Sequence, residues 1–585
     1  MKTKLLFIAL SLFWCNSFAQ EDSIKTVKEK VKITTGKINV GVNQYKSFKI
    51  SDRQNPFEFT VSGQPLIQYK SFYMPINFLV STLSRKNQQP YNYIGFIPTF
   101  TWGRFYVGDT YLAYSPFSLN AHRISGLGFD LYPGKHFRVG FIYGRMQRSV
   151  TEDFSIPDNP STFLVETPFP AYGRYSFAAK LGWVIKDSTY IDLLVFKGKD
   201  RLNSIPDITS IGEDGLKVIS PAENLVVGSK FNIRLGKRLF WITDMATSLY
   251  TANQNAEPFE VSEVSNPLIN RLQRSLLSNF MNVNSSSQLS YGAESAISYW
   301  DSTFSFKLKY REISPNYKSL GSYNNFYDTD VRRLNFASSL QKMKGKLVMN
   351  SSLDYEQNNI SKNNFYTGKT LLGLAEILFF PSQKFGTFIQ YTGTLSNQNA
   401  KGFTRDQYGS TSNLHNVSMV SRLTFDTPKV FNLITLTAMY NNIQNDIVFE
   451  SVKTPSLFNI YTLNLGYNLT LLKKASTIDA GLWRVNLSDI DKKTQSNTGL
   501  NAGYSQNFLK NKASAGGSYS LFFNKYGDGN FGNTHQFGLN LNYAVVQGHK
   551  IWFRASLLNN AVDAPTSDLK PFSEVRTSVG YEVDL

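Results

Sequence analysis

The stretch SEVRTSVGYEVDL, residues 573–585, decides how the rest of the chain is read. Successive side chains of a strand point to opposite sides, so Val575, Thr577, Val579, Tyr581, Val583 and Leu585 share one face. Arg576, Ser578, Gly580, Glu582 and Asp584 share the other. One face is greasy and one is wet. The same alternation recurs upstream, at the length a tilted strand needs to cross a bilayer. Tyr461, Leu463, Leu465, Tyr467 and Leu469 alternate with Thr462, Asn464, Gly466, Asn468 and Thr470. Phe537, Leu539, Leu541, Tyr543 and Val545 alternate with Gln536, Gly538, Asn540, Asn542 and Ala544.

Composition agrees with two-sided strands. Aromatic residues make up 14% of the chain and charged residues only 18%, below the usual quarter. Mean hydropathy is -0.26, as expected where apolar and polar positions alternate. No stretch after the first residues has about 18 consecutive apolar positions, so spanning helices are not expected.

The connections alternate short and long. Short ones fall at Gly103, 132–135, 186–188, 236–237, 301–302, 344–345, 381–382, 427–428, 473–474, 509–510 and 548–549, mostly on turn-forming residues. Long ones fall at 149–171, 200–223, 253–287, 314–328, 397–412 and 443–455. Short periplasmic turns and long extracellular loops are the pattern of an outer-membrane barrel. The expected fold is all-β: a transmembrane antiparallel β-barrel of about 24 strands, within about 22 to 26. Barrels of about 22 strands carry a plugged lumen, so leader, loops or a partner should constrict this one.

Three segments follow. Residues 1–19, MKTKLLFIALSLFWCNSFA, read as a signal peptide, with Lys2 and Lys4 before an apolar run and Ser17-Phe18-Ala19 at its end. The run is short for a membrane anchor. Cys15, the one cysteine, would leave with it. Residues 20–70 read as a periplasmic leader and plug candidate: 21–37, polar and charged, as a mobile leader, and 38–70, whose extended pieces Pro56 and Pro65 break, as a short plug or an extra strand pair. The barrel is expected over 71–585, with both termini periplasmic and a location in the outer membrane.

Charges on strands must look inward, because each would cost about 2–4 kcal/mol against hydrocarbon at the midplane. Lys307, Lys309 and Arg311 alternate with Phe304, Phe306, Leu308 and Tyr310 and are therefore assigned to the lumen. Asp192, Glu376, Asp479 and Arg554 join them, as do Asp244, Glu294, Glu582 and Asp584, as inward ion pairs. One loop carries Leu268, Leu272, Leu276 and Phe280 at helical spacing behind Asn266-Pro267, the cap and first-turn pattern of a helix. That helix packs on neighbouring loops, constricts the lumen or docks a partner.

The stretch PTFTWGRFYVGDTYLAYSPFSLNAHRISGLGFDLYPGKHFRVGFIYGRMQR, residues 98–148, resembles a segment of the large outer-membrane β-barrel proteins of the Bacteroidota. Tyr106-Val107-Gly108, residues 114–119 (YSPFSL), Gly126-Leu127-Gly128, residues 132–135 (YPGK) and Tyr143-Gly144-Arg145 carry the resemblance. It implies location and fold and leaves function open. Residues 114–123 are expected to line the pore mouth or grip a plug. The C-terminal residues Val579, Tyr581, Val583 and Leu585 resemble the insertion signal of such barrels.

Enzyme chemistry has little to stand on. Five histidines, His122, His136, His415, His535 and His549, form no ligand spacing. His415 and His535 with Asp406 are the pieces for a rim hydrolase. Residues 527–532 (GDGNFG) match a dinucleotide-binding glycine pattern, but no helix N-terminus follows to hold a pyrophosphate. No P-loop pattern and no recognisable plug domain of a TonB-dependent receptor occur. No cofactor is expected. The net charge of +18 is assigned to lumen, loops and lipid head groups rather than nucleic acid. Expected partners are outer-membrane lipid, the barrel-assembly machinery and other outer-membrane or periplasmic subunits. The function expected is transport or envelope assembly, as a plugged or gated channel or a subunit of a larger complex. The alternative is a surface module whose loops bind glycan or protein.

Overall fold

The structure is a computed structural model that describes residues 32–83, 89, 91–150, 171–186, 188–205, 219–258, 280–322, 329–490, 494–526, 529–561 and 571–585. The described strands form one closed antiparallel transmembrane β-barrel of 26 strands. The signal-peptide reading and Leu268, Leu272 and Leu276 lie outside the described residues.

Closure happens at the stretch that opened the reading. Strand Phe572–Asp584 pairs on one side with His549–Asn560. On the other it pairs with Lys37–Phe48, from Lys37↔Asp584 to Phe48↔Ser573. Closing the ring leaves no strand edge exposed. Residues 32–69 are therefore wall, and the ring begins well before residue 71. Lys32–Thr35 and Lys37–Phe48 make the first wall member, and Phe57–Gly63 and Leu66–Tyr69 the second. The strand-pair alternative holds for this segment and the plug does not. The prolines misled because Pro56 lies in the loop between the two members and Pro65 at a break within one, where a missing N–H costs no ladder bond.

The predicted short turns all join strands at one end of the ring, which also holds Leu585: its N–H donates to the Gly36 carbonyl at 2.9 Å. Two predicted loops are mostly wall. Strand Val430–Phe449 runs straight into Val452–Leu471 through residues 450–451, and Phe385–Ala400 and Tyr408–Asp426 are joined by 401–407. Their outer halves carry polar residues on both faces, which mimics loop composition. Twenty-residue strands exceed the roughly 9–11 residues a bilayer needs, so they rise above the membrane as a collar.

Candidate lumen site

Along each strand the inward row is fixed by alternation. On the arc between Gly103–Ala113 and Val331–Lys342 much of that row is buried, because the lumen is filled there, while Lys307 toward the short-turn end stays exposed. Ile124, Ile142, Leu194, Phe196, Val226, Ile313 and Val331 form an apolar inner wall. Residues 114–119 and 314–322 pack onto it from inside.

Both inserts begin at a Ser-Pro pair, Ser115-Pro116 and Ser314-Pro315. Proline cannot continue the ladder, and the Ser115 hydroxyl accepts from the Phe117 N–H at 3.1 Å. Each chain thus turns inward at its strand end. The two then clamp one another. The Tyr317 hydroxyl donates to the Phe117 carbonyl at 2.6 Å, the Ser319 hydroxyl to the Ser118 carbonyl at 2.6 Å and the Ser322 hydroxyl to the Pro116 carbonyl at 3.0 Å. The Asn120 N–H donates to the Gly321 carbonyl at 2.8 Å. Phe117 and Tyr317, both 0% exposed, meet edge to face at 6.1 Å. Two glycines make room: a Cβ on Gly292 would lie 2.7 Å from the Phe117 ring, and one on Gly321 2.5 Å from the Ser118 carbonyl.

The wall holds the insert by polar groups as well. The Ser115 hydroxyl donates to Asp244 at 2.6 Å. The Ser248 hydroxyl donates to the Lys318 carbonyl at 2.5 Å, and Asn224 accepts from the Leu320 N–H at 3.1 Å. The Arg311 guanidinium lies over the Phe117 ring, 5.4 Å from its centroid.

Beneath the insert runs a belt of charge. Asp192, Lys230, Asp244, Glu294, Arg311, Arg333 and Glu356 are direct cross-strand partners in that order, on seven successive strands. Arg138 reaches Asp192 at 2.6 Å, Lys180 reaches Asp130 at 3.0 Å and Lys309 reaches Glu294 at 3.5 Å. Arg333 pairs with Glu356. Desolvated charges stay only where they are paired, and the belt supplies that pairing laterally.

The opposite arc differs. Its inward row is open and mostly neutral: Asn416 faces Asn441, Gln390 and Asn350 donate to Glu376 at 2.8 and 3.2 Å, and Asn468 donates to Asp479. The lumen is therefore split into a filled, charged arc and an open arc of amides and hydroxyls.

The lumen candidates fall on the inward rows. Asp192, Lys309 and Arg311 join the belt, with Lys307 beside it; Glu376 and Asp479 lie on the open arc; Arg554 stacks over Trp552 at 5.0 Å. Phe280 sits where packing or docking, and not constriction, is open to it. It is exposed in a turn whose next residue, Met281, packs on Leu225 and Leu249, on the outward side of the wall. Its carbonyl accepts from Lys197 there, so it does not gate the lumen. Val579, Tyr581 and Val583 stand on the outward row of the closing strand, with Leu585 at its end. His415 and His535 are also on outward rows, each bound to a neighbouring strand's tyrosine at 2.9 Å, Tyr391 and Tyr519. The strands from Val430–Phe449 to Ala513–Tyr526 lie between them, so no hydrolase set is assembled from these two. The connection pattern puts 314–322 in an outer loop, whereas it folds into the lumen; Tyr317 and Leu320 in an otherwise polar segment are the signal that it is buried.

No family model and no curated protein matches the chain. Among solved structures it is similar to the outer membrane protein OpdK from Pseudomonas aeruginosa, at 11% identity over 63% of this chain and 94% of that one, with a TM-score of 0.28. It is similar also to the FrpB iron transporter from Neisseria meningitidis, at 9% identity over 95% of this chain and 82% of that one, with a TM-score of 0.37. The likeness stops at barrel architecture.

Proposed function

We propose that the chain is an integral outer-membrane β-barrel that works as a constricted channel, exported by its N-terminal signal and inserted by the barrel-assembly machinery. The short-turn end with both termini is periplasmic and the collar is extracellular. The resemblance of residues 98–148 to large barrels of the Bacteroidota supports this reading.

One observation carries the reading: the clamp of residues 114–119 on 314–322 covers one arc of the inner wall and leaves the other lined by water-accessible amides. A structural plug for a sealed ring would have no reason to leave a continuous polar track beside it. Passage then runs along the open arc, with exposed charges such as Lys307 and Arg554 setting ion preference by electrostatics.

Planar-bilayer recording of the purified full chain tests this. Steady conductance that increases when residues 316–321 are replaced by a Gly-Ser linker is the expected result. No conductance from either protein, together with a co-purifying membrane partner, would move the chain to the subunit role.

A further inference from the structure

The collar above the open arc carries a continuous track of aromatic rings. Tyr366 and Phe365 lie 4.8 Å apart between centroids, Phe365 and Phe403 6.2 Å, Phe403 and Tyr408 4.6 Å, and Tyr408 and Phe449 5.4 Å. Tyr366, Tyr408 and Phe449 continue the inward rows of their strands. The track therefore faces the vestibule. Tyr440, on the outward row, is separated from Phe449 by about 30 Å of extended strand, so the rings stand well above the lipid.

These rings are exposed yet fixed. Phe365, Phe403 and Phe449 are 50%, 45% and 61% exposed. The loops bearing them are tied down: Asn359 donates to the Asn364 and Tyr366 carbonyls at 3.0 Å each. The Lys401 N–H donates to the Phe365 carbonyl at 2.6 Å, and the Ser451 N–H to the Gln407 carbonyl at 3.2 Å. Leaving apolar area in water on a braced platform makes sense where a ligand covers it.

Below the rings the same inward rows carry Gln398, Ser396, Asn445, Asn416, Asn441 and Gln390, with Ile447, Ile443 and Leu414 set among them. Inward charges on the strands from Phe385–Ala400 to Ala513–Tyr526 are few: Arg422, which covers the Phe380 ring, Asp479, which is held by Asn468, and Asp426 at the turn end. Below the rings an anion or cation would find little to pair with, and the charges beside the rings, Lys401, Arg405, Asp406 and Glu450, are of mixed sign. A lipid tail would strand the amides. Aromatic faces attract polarised C–H groups through their quadrupole, and amides both donate and accept. A sugar ring offers the match to both: an apolar C–H face and a rim of hydroxyls.

We propose that this track captures neutral, linear oligosaccharides at the channel mouth and passes them to the amide-lined arc. The inference rests on the channel reading, so two measurements separate them. In planar bilayers, maltohexaose, cellohexaose and xylohexaose are added to the extracellular side, with polyethylene glycol of matching mass as control. At least one hexaose should interrupt the current saturably. The Phe365→Ala/Phe403→Ala/Phe449→Ala protein should need about tenfold more sugar or above, with unchanged salt conductance. Independently, saturation-transfer NMR on the detergent-solubilised full chain should show the hexaose receiving magnetisation, and the triple variant should lose it. Phe403→Leu/Phe449→Leu keeps the apolar bulk, removes the ring faces and should also weaken binding, which guards against a folding defect. Transfer to no hexaose, or equal behaviour of sugar and glycol, or a triple variant that binds as well as the parent, overturns the assignment. Transfer without any current supports the track and defeats the channel.

Discussion

At the scale of single residues, Tyr317 is where the lumen insert is most exposed to failure. Its ring is fully buried and its hydroxyl holds the Phe117 carbonyl. Tyr317→Phe leaves that carbonyl short of a partner, at about 1–3 kcal/mol. Tyr317→Ala also opens a cavity, and aromatic-to-alanine changes in cores cost about 3–5 kcal/mol. Both should lower the denaturant midpoint of the refolded barrel, the second more, and only the second should raise single-channel conductance. Asp52, in the collar loop 49–56, gives a pH effect. The Ser47 N–H and hydroxyl, with Lys46 behind them, hold its carboxyl below the ordinary carboxylate value. A depressed folded value means the bond supports the loop in full above the unfolded value and is lost as pH falls through the folded one. Protease nicking within 49–56 should therefore rise on acidification, and Asp52→Asn should show high nicking at neutral pH. Equal nicking of the two proteins at pH 7 counts against this.

At the scale of elements, the strands were legible because their pattern is forced. A strand that meets lipid on one side must alternate, and residues 461–469 and 537–545 do so without interruption. Three kinds of element were not legible. The first two wall members carry prolines at breaks that only the pairing reveals. The collar strands leave the membrane, so nothing makes residues 443–455 alternate once both faces meet water. The inserts obey long-range packing: Phe117 and Tyr317 are two hundred residues apart, and no local period links them. Residues 114–119 could be tied to the pore mouth from the sequence, yet their partner could not be named. The clamp predicts its own disruption. Gly292→Val would drive a side chain into the Phe117 ring, a close-packed contact with nowhere to relax. The variant should still insert and close the ring, because the ladders on either side are untouched. Its conductance should rise toward that of the linker-replaced insert. A conductance equal to the parent's would mean that the insert does not narrow the path.

At the scale of the whole molecule, the proposed channel divides labour between two arcs, one holding and one passing. The belt from Asp192 to Glu356 runs beneath the insert, buried at Asp192 and Asp244, and Arg138, Lys309 and Arg333 pair with Asp192, Glu294 and Glu356, so these paired charges contribute little field to the water path. Lys307 and Arg554 are exposed on inward rows and have only water and a ring as company, so they dominate what an ion meets. Screening limits that influence to about 8 Å at physiological salt, which makes position matter more than the formal total of +18. Two double substitutions of inward charges should then act differently. Lys307→Glu with Arg554→Glu should shift the reversal potential in a potassium chloride gradient toward cations while leaving unfolding unchanged. Asp192→Asn with Asp244→Asn should leave the reversal potential nearly where it was. It should lower the unfolding midpoint, because Arg138 loses its carboxylate partner, where breaking a buried pair costs about 3–5 kcal/mol, and the Ser115 hydroxyl loses the charged acceptor that anchors the insert. If the belt variant moves selectivity as far as the exposed pair does, the filled arc conducts, and the separation between a holding wall and a passing wall is wrong.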